Sequence, residues 1–128
     1  MGLAREGVRP FASRPRVDAE RRVLVGSRCA ECGTLSWPAR AICNRCGDAS
    51  LELTDLPTEG TLLAYTTVWV ARPGLEPPYV LGQVNLGRGA RLFAHVRSLH
   101  EAEPVPVQVR LAVPAPGTEP IEFWFEPL

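Results

Sequence analysis

The chain has 128 residues, of which 45% are hydrophobic and 22% are charged, a composition typical of a globular protein with one modest core. Basic and acidic residues number 14 each, so no net positive charge attracts a polyanion, and nucleic acid is an unlikely partner. No apolar run has the length of a signal peptide or the roughly 20 residues of a membrane span. We therefore expect a cytoplasmic protein without a membrane partner, in which cysteines favour metal over disulfides.

Residues 1–24 are predicted to form an N-terminal arm. The first 17 residues mix Gly, Pro, Arg and Ser without apolar periodicity, so we expect them to become ordered only against another surface. The segment Asp18 to Leu24 could form a short helix, with Asp18 at its start and two arginines further along. Arginines are dense throughout the arm, at Arg5, Arg9, Arg14, Arg16, Arg21 and Arg22.

Residues 25–57 carry two C-x-x-C-G motifs, Cys29-Ala-Glu-Cys32-Gly33 and Cys43-Asn-Arg-Cys46-Gly47. Each motif places two thiolates on one side of a tight turn, and its glycine can adopt the positive φ that lets backbone N–H groups point at sulfur. Two such turns facing each other predict a structural Zn²⁺ site with no coordination position open for water or substrate. Iron of the rubredoxin kind, disulfides and redox thiols are the alternatives. The predicted metal ligands are Cys29, Cys32, Cys43 and Cys46.

Residues 58–128 change to short runs of period-two alternation separated by Pro and Gly clusters, which predicts an all-β region. The five runs are 61–70, 79–86, 91–96, 107–113 and 121–125, and Gly87-Arg-Gly89 predicts a tight turn between the second and the third. Five strands in about 70 residues would leave two open edges and a risk of aggregation unless the sheet closes. The predicted fold class is therefore mainly β, with a zinc ribbon followed by a five-stranded OB-like barrel.

No catalytic constellation is evident. His95 and His100 are the only histidines; His95 falls on the face of a strand and His100 in a turn-like segment. The sequence shows no nucleophile elbow, no phosphate-binding glycine loop and no supported acid–base pair, so we expect the protein to have no enzymatic activity of its own.

Trp37 and Arg40 lie between the two cysteine motifs. Trp37 either packs the ribbon against the barrel or joins Arg40 in contacting a ligand phosphate or a partner.

These motifs occur in a familiar order. The chain resembles the rubredoxin-like zinc ribbon plus OB-fold proteins, a domain-of-unknown-function family associated with acyl-CoA metabolism, over about residues 20 to 128. The resemblance implies a non-catalytic accessory subunit that binds a thiolase-like enzyme, such as a thiolase, a lipid-transfer-type aldolase or an acyltransferase, and helps bind acyl-CoA. It also implies that the arm docks on the partner, and that Arg40 and Tyr79 contact CoA or the partner. The motifs are Cys29-x-x-Cys32-Gly33, Trp37-Pro38-x-Arg40, Cys43-x-x-Cys46-Gly47, Gly60-Thr61-Leu62 and Pro78-Tyr79-Val80.

The sequence departs from the family pattern in two places and leaves two other functions to consider. Leu51-Glu-Leu53 stands where relatives often carry an aromatic residue, and Glu103-Pro-Val-Pro106 where they often carry a glycine-led turn.

The alternative function is that of a single-stranded nucleic-acid binder, because OB barrels and zinc ribbons both serve in that role, but the zero net charge argues against it. An independent acyl-CoA hydrolase or hydratase would need a base and an orienting residue that the sequence lacks.

Overall fold

The structure is a computed structural model that describes residues 16–128. Within this range there is no helix, and hence none long and apolar enough to cross a membrane. The mainly-β prediction is confirmed; residues 1–15 of the predicted arm lie outside the described residues. The strands are β1 (Val17–Asp18), β2 (Val23–Cys29), β3 (Leu35–Ser36), β4 (Leu51–Asp55), β5 (Glu59–Val68), β6 (Tyr79–Gly87), β7 (Ala90–Val96), β8 (Val107–Ala112) and β9 (Trp124–Pro127).

The ribbon sheet is built around β2. Strands β1 and β3 pair with different parts of β2, and β4 pairs with it antiparallel, from Val25 opposite Asp55 to Cys29 opposite Leu51. Most of β2 is buried, whereas β4 is largely exposed, so β2 is the central strand and β4 lies at the edge. Because β2 ends at Cys29, the sheet itself positions the first cysteine.

The predicted short helix from Asp18 to Leu24 is wrong. The Oδ1 atom of Asp18 accepts hydrogen bonds from the backbone N–H groups of Glu20 and Arg21, both at 3.1 Å, as an N-cap residue would. However, Arg22 adopts a φ of 57°, which ends the helical path after one turn. Val23 then pairs with Asp18, so the segment forms a β-hairpin whose two strands belong to the ribbon sheet.

The second half of the described chain closes into a barrel with the strand order β5-β6-β7-β9-β8, and β8 pairs back with β5. All neighbours are antiparallel except β7 and β9, which meet in parallel at Val96 and Phe125. This closed five-stranded sheet confirms the predicted OB-type barrel. On β7, buried Ala90, Leu92, Ala94 and Val96 alternate with outward Arg91, Phe93 and His95.

Two strands differ from the sequence prediction. A bulge between Leu62 and Ala64 shifts the register of β5, so the inward positions are Leu62 and then Tyr65, which the simple alternation had put on opposite faces. The last strand begins at Trp124 rather than at Ile121, because pairing with β8 starts only there. The fully buried residue of this strand is Phe125.

The ribbon and the barrel share one hydrophobic core. Leu24, Leu35 and Leu56 from the ribbon side belong to the same buried cluster as the barrel residues around Leu62 and Phe125. The backbone N–H of Leu35 also donates a hydrogen bond of 2.9 Å to the carbonyl of Arg88, in the turn between β6 and β7. The domain boundaries at 24/25 and 57/58 stay predictions.

Candidate metal centre and its surroundings

The four predicted cysteines converge at one end of the ribbon. Their sulfur atoms all lie within 4.8 Å of one another, and the Sγ atoms of Cys29 and Cys46, and of Cys32 and Cys43, are 3.6 Å apart. A tetrahedral site with metal–sulfur bonds of about 2.3 Å needs sulfurs about 3.8 Å apart, so the group fits a four-thiolate metal site. Cys29 and Cys43 are buried and the other two are exposed, and all four are free of disulfide bonds.

The two cysteine turns have the same local geometry. Gly33 and Gly47 adopt φ values of 77° and 78°, and apart from the glycine and its two chain neighbours no atom of the described residues lies within 4 Å of a Cβ built on either. The N–H of Gly33 donates to the carbonyl of Cys29, and that of Gly47 to the carbonyl of Cys43. A side chain at these glycines would be strained by the backbone conformation alone, because an L-residue rarely adopts it. The glycine in each motif is therefore required by the turn.

Neighbouring groups of the protein stabilise the ionised form of some of the four cysteines and destabilise that of others. The hydroxyl and backbone N–H of Thr34 lower the pKa of Cys32 to about 6. The backbone N–H of Asp48 favours the Cys46 thiolate, but desolvation and the neighbouring sulfurs outweigh it and raise the pKa of Cys46 to about 12. Four adjacent thiolates repel one another, so the fully ionised set needs a cation, and a coordinating metal deprotonates thiols outright. This soft donor set suits zinc or iron.

Trp37 links the ribbon to the barrel. Its ring is half-buried and meets the ring of Phe123 edge-on, with centroids 5.3 Å apart. The indole Nε1 donates a 3.0 Å hydrogen bond to the carbonyl of Arg16, and the Arg16 guanidinium lies 4.8 Å from the ring centroid. The packing that the sequence offered as one interpretation is present in the structure. A contact of Trp37 with a ligand or a partner stays a prediction.

Arg40 and Tyr79 are in different parts of the molecule. The backbone N–H of Arg40 bonds to the Oγ of buried Ser27, while its side chain is exposed and forms no ion pair within the described residues. Tyr79 begins β6, and the opposite end of that strand, Gly87, adjoins the ribbon. Arg40 is not among the residues that line the cleft around Tyr79. The contacts of Arg40 and Tyr79 with CoA or a partner stay predictions.

Tyr79 lines a cleft of about 440 Å³ beside the start of β6. Its ring contacts that of His95, with centroids 5.5 Å apart, and Arg97 and Ser98 line the same cleft. Burial, and then the charge of Arg97, lower the pKa of His95, so the imidazole is neutral at pH 7. Arg97 is held by an ion pair of 2.9 Å with Glu119. The cleft thus combines a neutral imidazole, a phenol and a fixed guanidinium.

Comparison with known families identifies both halves of the chain. Residues 16–52 match the family described as "ChsH2, rubredoxin-like zinc ribbon domain", and residues 53–114 match "ChsH2, C-terminal OB-fold domain". The chain belongs to this ChsH2 family. The two matches follow each other without a gap, and the four cysteines all fall within the first.

Relatives of this ChsH2-type chain include subunits and scaffolds. It is similar to a "DUF35 domain-containing scaffold protein" of Methanocaldococcus jannaschii, with 36% identity over 60% of this chain and 57% of that protein. It is also similar to the "Benzoylsuccinyl-CoA thiolase subunit BbsA" of Thauera aromatica, with 29% identity over 62% of this chain and 55% of that subunit. The matched regions thus span little more than half the length of these curated relatives.

A solved structure matches over both halves. The ChsH2-type chain is similar to a chain of the "Ltp2-ChsH2(DUF35) aldolase", with a TM-score of 0.67 and 26% identity over 89% of this chain and 98% of that chain. An alignment that covers 89% of this chain must include both the ribbon and the barrel. The similarity therefore concerns the whole arrangement and not the cysteine motifs alone.

Two residues that support the ChsH2-type metal centre were not predicted from the sequence. The Thr34 hydroxyl lies 3.1 Å from the Sγ of Cys32, and buried Ser27 holds the segment between the cysteine motifs through the Arg40 N–H. Thr34 directly follows the first C-x-x-C-G motif, so its position could have suggested a contact with sulfur. Ser27 carries no such signal, because a serine in a strand is usually exposed.

Proposed function

We propose that this chain is a non-catalytic accessory subunit that binds a thiolase-superfamily enzyme, such as a thiolase, a lipid-transfer-type aldolase or an acyltransferase. The observation that carries the proposal is the extent of the structural likeness. The ribbon and the barrel together resemble a chain of the Ltp2-ChsH2(DUF35) aldolase over 89% of this chain. The names of two relatives, a scaffold protein and a thiolase subunit, support the same role.

Zn²⁺ is the metal we propose for Cys29, Cys32, Cys43 and Cys46. Its structural sites in proteins are four-coordinate and tetrahedral, which the sulfur separations accommodate. With all four positions taken by protein thiolates, none is open for substrate, so the ion stabilises the ribbon and does no chemistry. Elemental analysis of the purified protein should give one zinc per chain. A visible absorption band with one iron per chain would contradict this assignment.

The histidines support a non-catalytic role. Within residues 16–128 neither histidine side chain forms a hydrogen bond with a carboxylate that could orient it as a general base. His95 instead contacts the ring of Tyr79, and His100 is exposed. A base without an orienting group and a nearby nucleophile is a weak catalyst.

Acyl-CoA is the small molecule that we propose to be shared with the partner. The exposed guanidinium of Arg40 is suited to a phosphate, and Tyr79 lines a cleft in which its phenol is accessible. Each residue would make its own contact, with the partner completing the site around either. Trp37 would contribute only the exposed part of its ring, since the rest packs on Phe123.

Complex size tests the proposal. The chain would be purified alone and together with the thiolase-superfamily enzyme encoded nearest to it, and the mass of each sample would be measured by light scattering after gel filtration. We expect a stable hetero-complex, and no turnover of acyl-CoA by this chain alone. A chain that stays separate from the enzyme, or that turns over an acyl-CoA by itself, would overturn the proposal.

A further inference from the structure

The outer face of β5, β6 and β7 carries apolar side chains beside polar ones that are neither acidic nor Lys or Arg, and one of the apolar side chains is a large exposed aromatic ring. The strand register brings six outward side chains into two adjacent rows. Phe93 on β7 is 75% exposed although it lies in the middle of its strand. We call this surface the β5–β7 face; its rows are Ala64, Gln83 and Phe93, and Thr66, Leu81 and His95.

The apolar character continues beyond the two rows. The next pair in the register is Val68 and Tyr79, and directly after Val68 the chain exposes Trp69 and Val70, each at 72%. Aromatic side chains of this size bury 150–250 Å² when covered, so a partner would gain much from covering Phe93 and Trp69. Such a patch on a soluble protein usually marks a binding surface.

The opposite side of the barrel provides the contrast. On the outer face of β8 and β9, Arg110 pairs with Glu126 at 3.9 Å, and the indole N–H of Trp124 donates to Glu126 at 3.2 Å. Arg97, which directly follows β7, reaches this side, and its guanidinium stacks 4.0 Å above the Trp124 ring. The polar and aromatic groups of this side therefore satisfy one another, whereas Phe93 has no aromatic partner among the described residues.

Charge decides what kind of partner fits the β5–β7 face. Its two rows contain no carboxylate, lysine or arginine. Two arginines border it: Arg91 on β7, and Arg97 just after β7, whose charge is paired with Glu119 at 2.9 Å. A single-stranded nucleic acid needs a groove of cations beside the stacking aromatics, which this face does not offer. Depletion of charge around exposed aromatics is instead the composition of a protein–protein interface core.

We propose that the β5–β7 face is the docking surface for the thiolase-like subunit, with Phe93 as its main anchor. This inference rests on the proposed function, because that partner is the one to which the relatives point. It adds to that function by assigning the interface to one face of the barrel, and not to the ribbon or to the outer face of β8 and β9. The partner should present an uncharged, apolar pocket to Phe93.

The test compares Phe93→Glu with a matched substitution on the other side of the barrel. Leu128 is 62% exposed and its backbone N–H bonds to Gln108 on β8, so Leu128→Glu adds the same charge to an exposed apolar position away from the face. Affinity for the thiolase-superfamily enzyme encoded nearest to this chain would be measured by calorimetry. We expect Phe93→Glu to weaken binding by at least about 30-fold, the size of an interface hot spot, and Leu128→Glu to change it less than about threefold.

The possible failures are distinguishable. If the unmodified chain does not bind the enzyme, both the proposed function and the docking surface are overturned. If it binds and Phe93→Glu binds equally well, only the docking surface is wrong. An unmodified chain that is a dimer by itself and becomes monomeric with Phe93→Glu would assign the face to self-association instead. Binding of an oligothymidine that Phe93→Glu abolishes would assign it to nucleic acid. Metal content and thermal unfolding of both variants should match the unmodified chain, because both positions are exposed.

Discussion

The barrel and the ribbon divide their shared core unequally. Of the twelve buried residues in the cluster, nine lie on strands β5 to β9, and only Leu24, Leu35 and Leu56 come from the ribbon side. The barrel is also closed, so every strand has two neighbours, whereas β4 leaves the ribbon sheet with an exposed edge. The barrel can therefore rely on ordinary burial and hydrogen bonding, while the ribbon needs a further source of stability.

The cysteine cluster is that source. Small modules without a sufficient core commonly use a structural metal, and the binding free energy of the metal then becomes folding free energy. In this chain the two regions are joined by the shared core and by the contact of Trp37 with Phe123. The comparison predicts that the ribbon depends on metal and the barrel does not.

Loss of the metal should have the largest effect. Structural zinc contributes about 10–16 kcal/mol of apparent binding free energy in small zinc modules, more than the ribbon's own core can replace. We expect Cys43→Ser, or removal of the metal by a chelator, to unfold residues 23–56 while amide protection persists in β6 and β7. Hydrogen exchange measured by mass spectrometry would resolve the two regions. A metal-free protein whose β2 amides stay as protected as before would refute the comparison.

Leu62→Ala should have the second-largest effect, and in the other region. Leu62 is fully buried at the centre of the barrel, and large-to-small substitutions at such sites cost about 2–5 kcal/mol. The metal should remain bound in the folded protein, because no cysteine contacts the substituted position. Urea unfolding together with metal analysis would check both statements. Leu53→Ala is the matched control: Leu53 is 41% exposed on β4, and its truncation should cost less than about 1 kcal/mol.

The sequence predicts the metal centre better than the strands around it. The two C-x-x-C-G motifs are local signals, and the backbone at Gly33 and Gly47 adopts the positive φ that the motif requires. The bulge in β5 has no such signal, because it arises where Leu62 and Ala64 change their pairing with β6, a non-local partner. The register of β5 therefore could not be read from alternation alone.

The N-terminal hairpin shows a similar limit. Asp18 makes the same hydrogen bonds to the following N–H groups in a helix N-cap and in this turn, so the local signal is ambiguous. The pairing of Val17 with Leu24 decides in favour of strands. For Trp37 the sequence left packing and ligand contact open, because the decisive neighbour, Phe123, is 86 residues away in the chain.

The junction between the regions should show a smaller effect. Trp37→Phe keeps a ring against Phe123 but removes the Nε1–H that donates to the Arg16 carbonyl, a loss of about 1 kcal/mol. Trp37→Ala removes both and should cost about 2 kcal/mol, less than at a fully buried tryptophan. A double-mutant cycle with Phe123→Ala should give a coupling of about 0.5–1.5 kcal/mol. A coupling near zero would mean that the two rings meet without stabilising the junction.

The ion pairs of the ribbon hairpin should have the smallest effect, and one that depends on pH. The Arg21 guanidinium bonds to Asp18 at 2.8 Å and to both carboxylate oxygens of Asp55 on β4, so it ties the hairpin to the exposed edge strand. The Arg21 side chain lowers the pKa of Asp18 below its ordinary value of 3.8. A carboxylate with a lowered pKa in the folded state contributes stability above its unfolded pKa and loses it as the pH falls through the folded value.

Arg21→Gln tests this contribution. It should lower the melting temperature slightly at pH 6, less than Trp37→Phe does. The difference should shrink as the pH falls through the lowered pKa of Asp18, and also in 1 M salt. Arg28→Gln is the matched control in the same sheet, because the single contact of Arg28 with Glu52 is longer, at 3.7 Å, and the Glu52 side chain is 68% exposed. We expect no resolved difference for that variant. If the Arg21→Gln difference persisted unchanged at low pH, Arg21 would act through the packing of its side chain on the hairpin rather than through its charge.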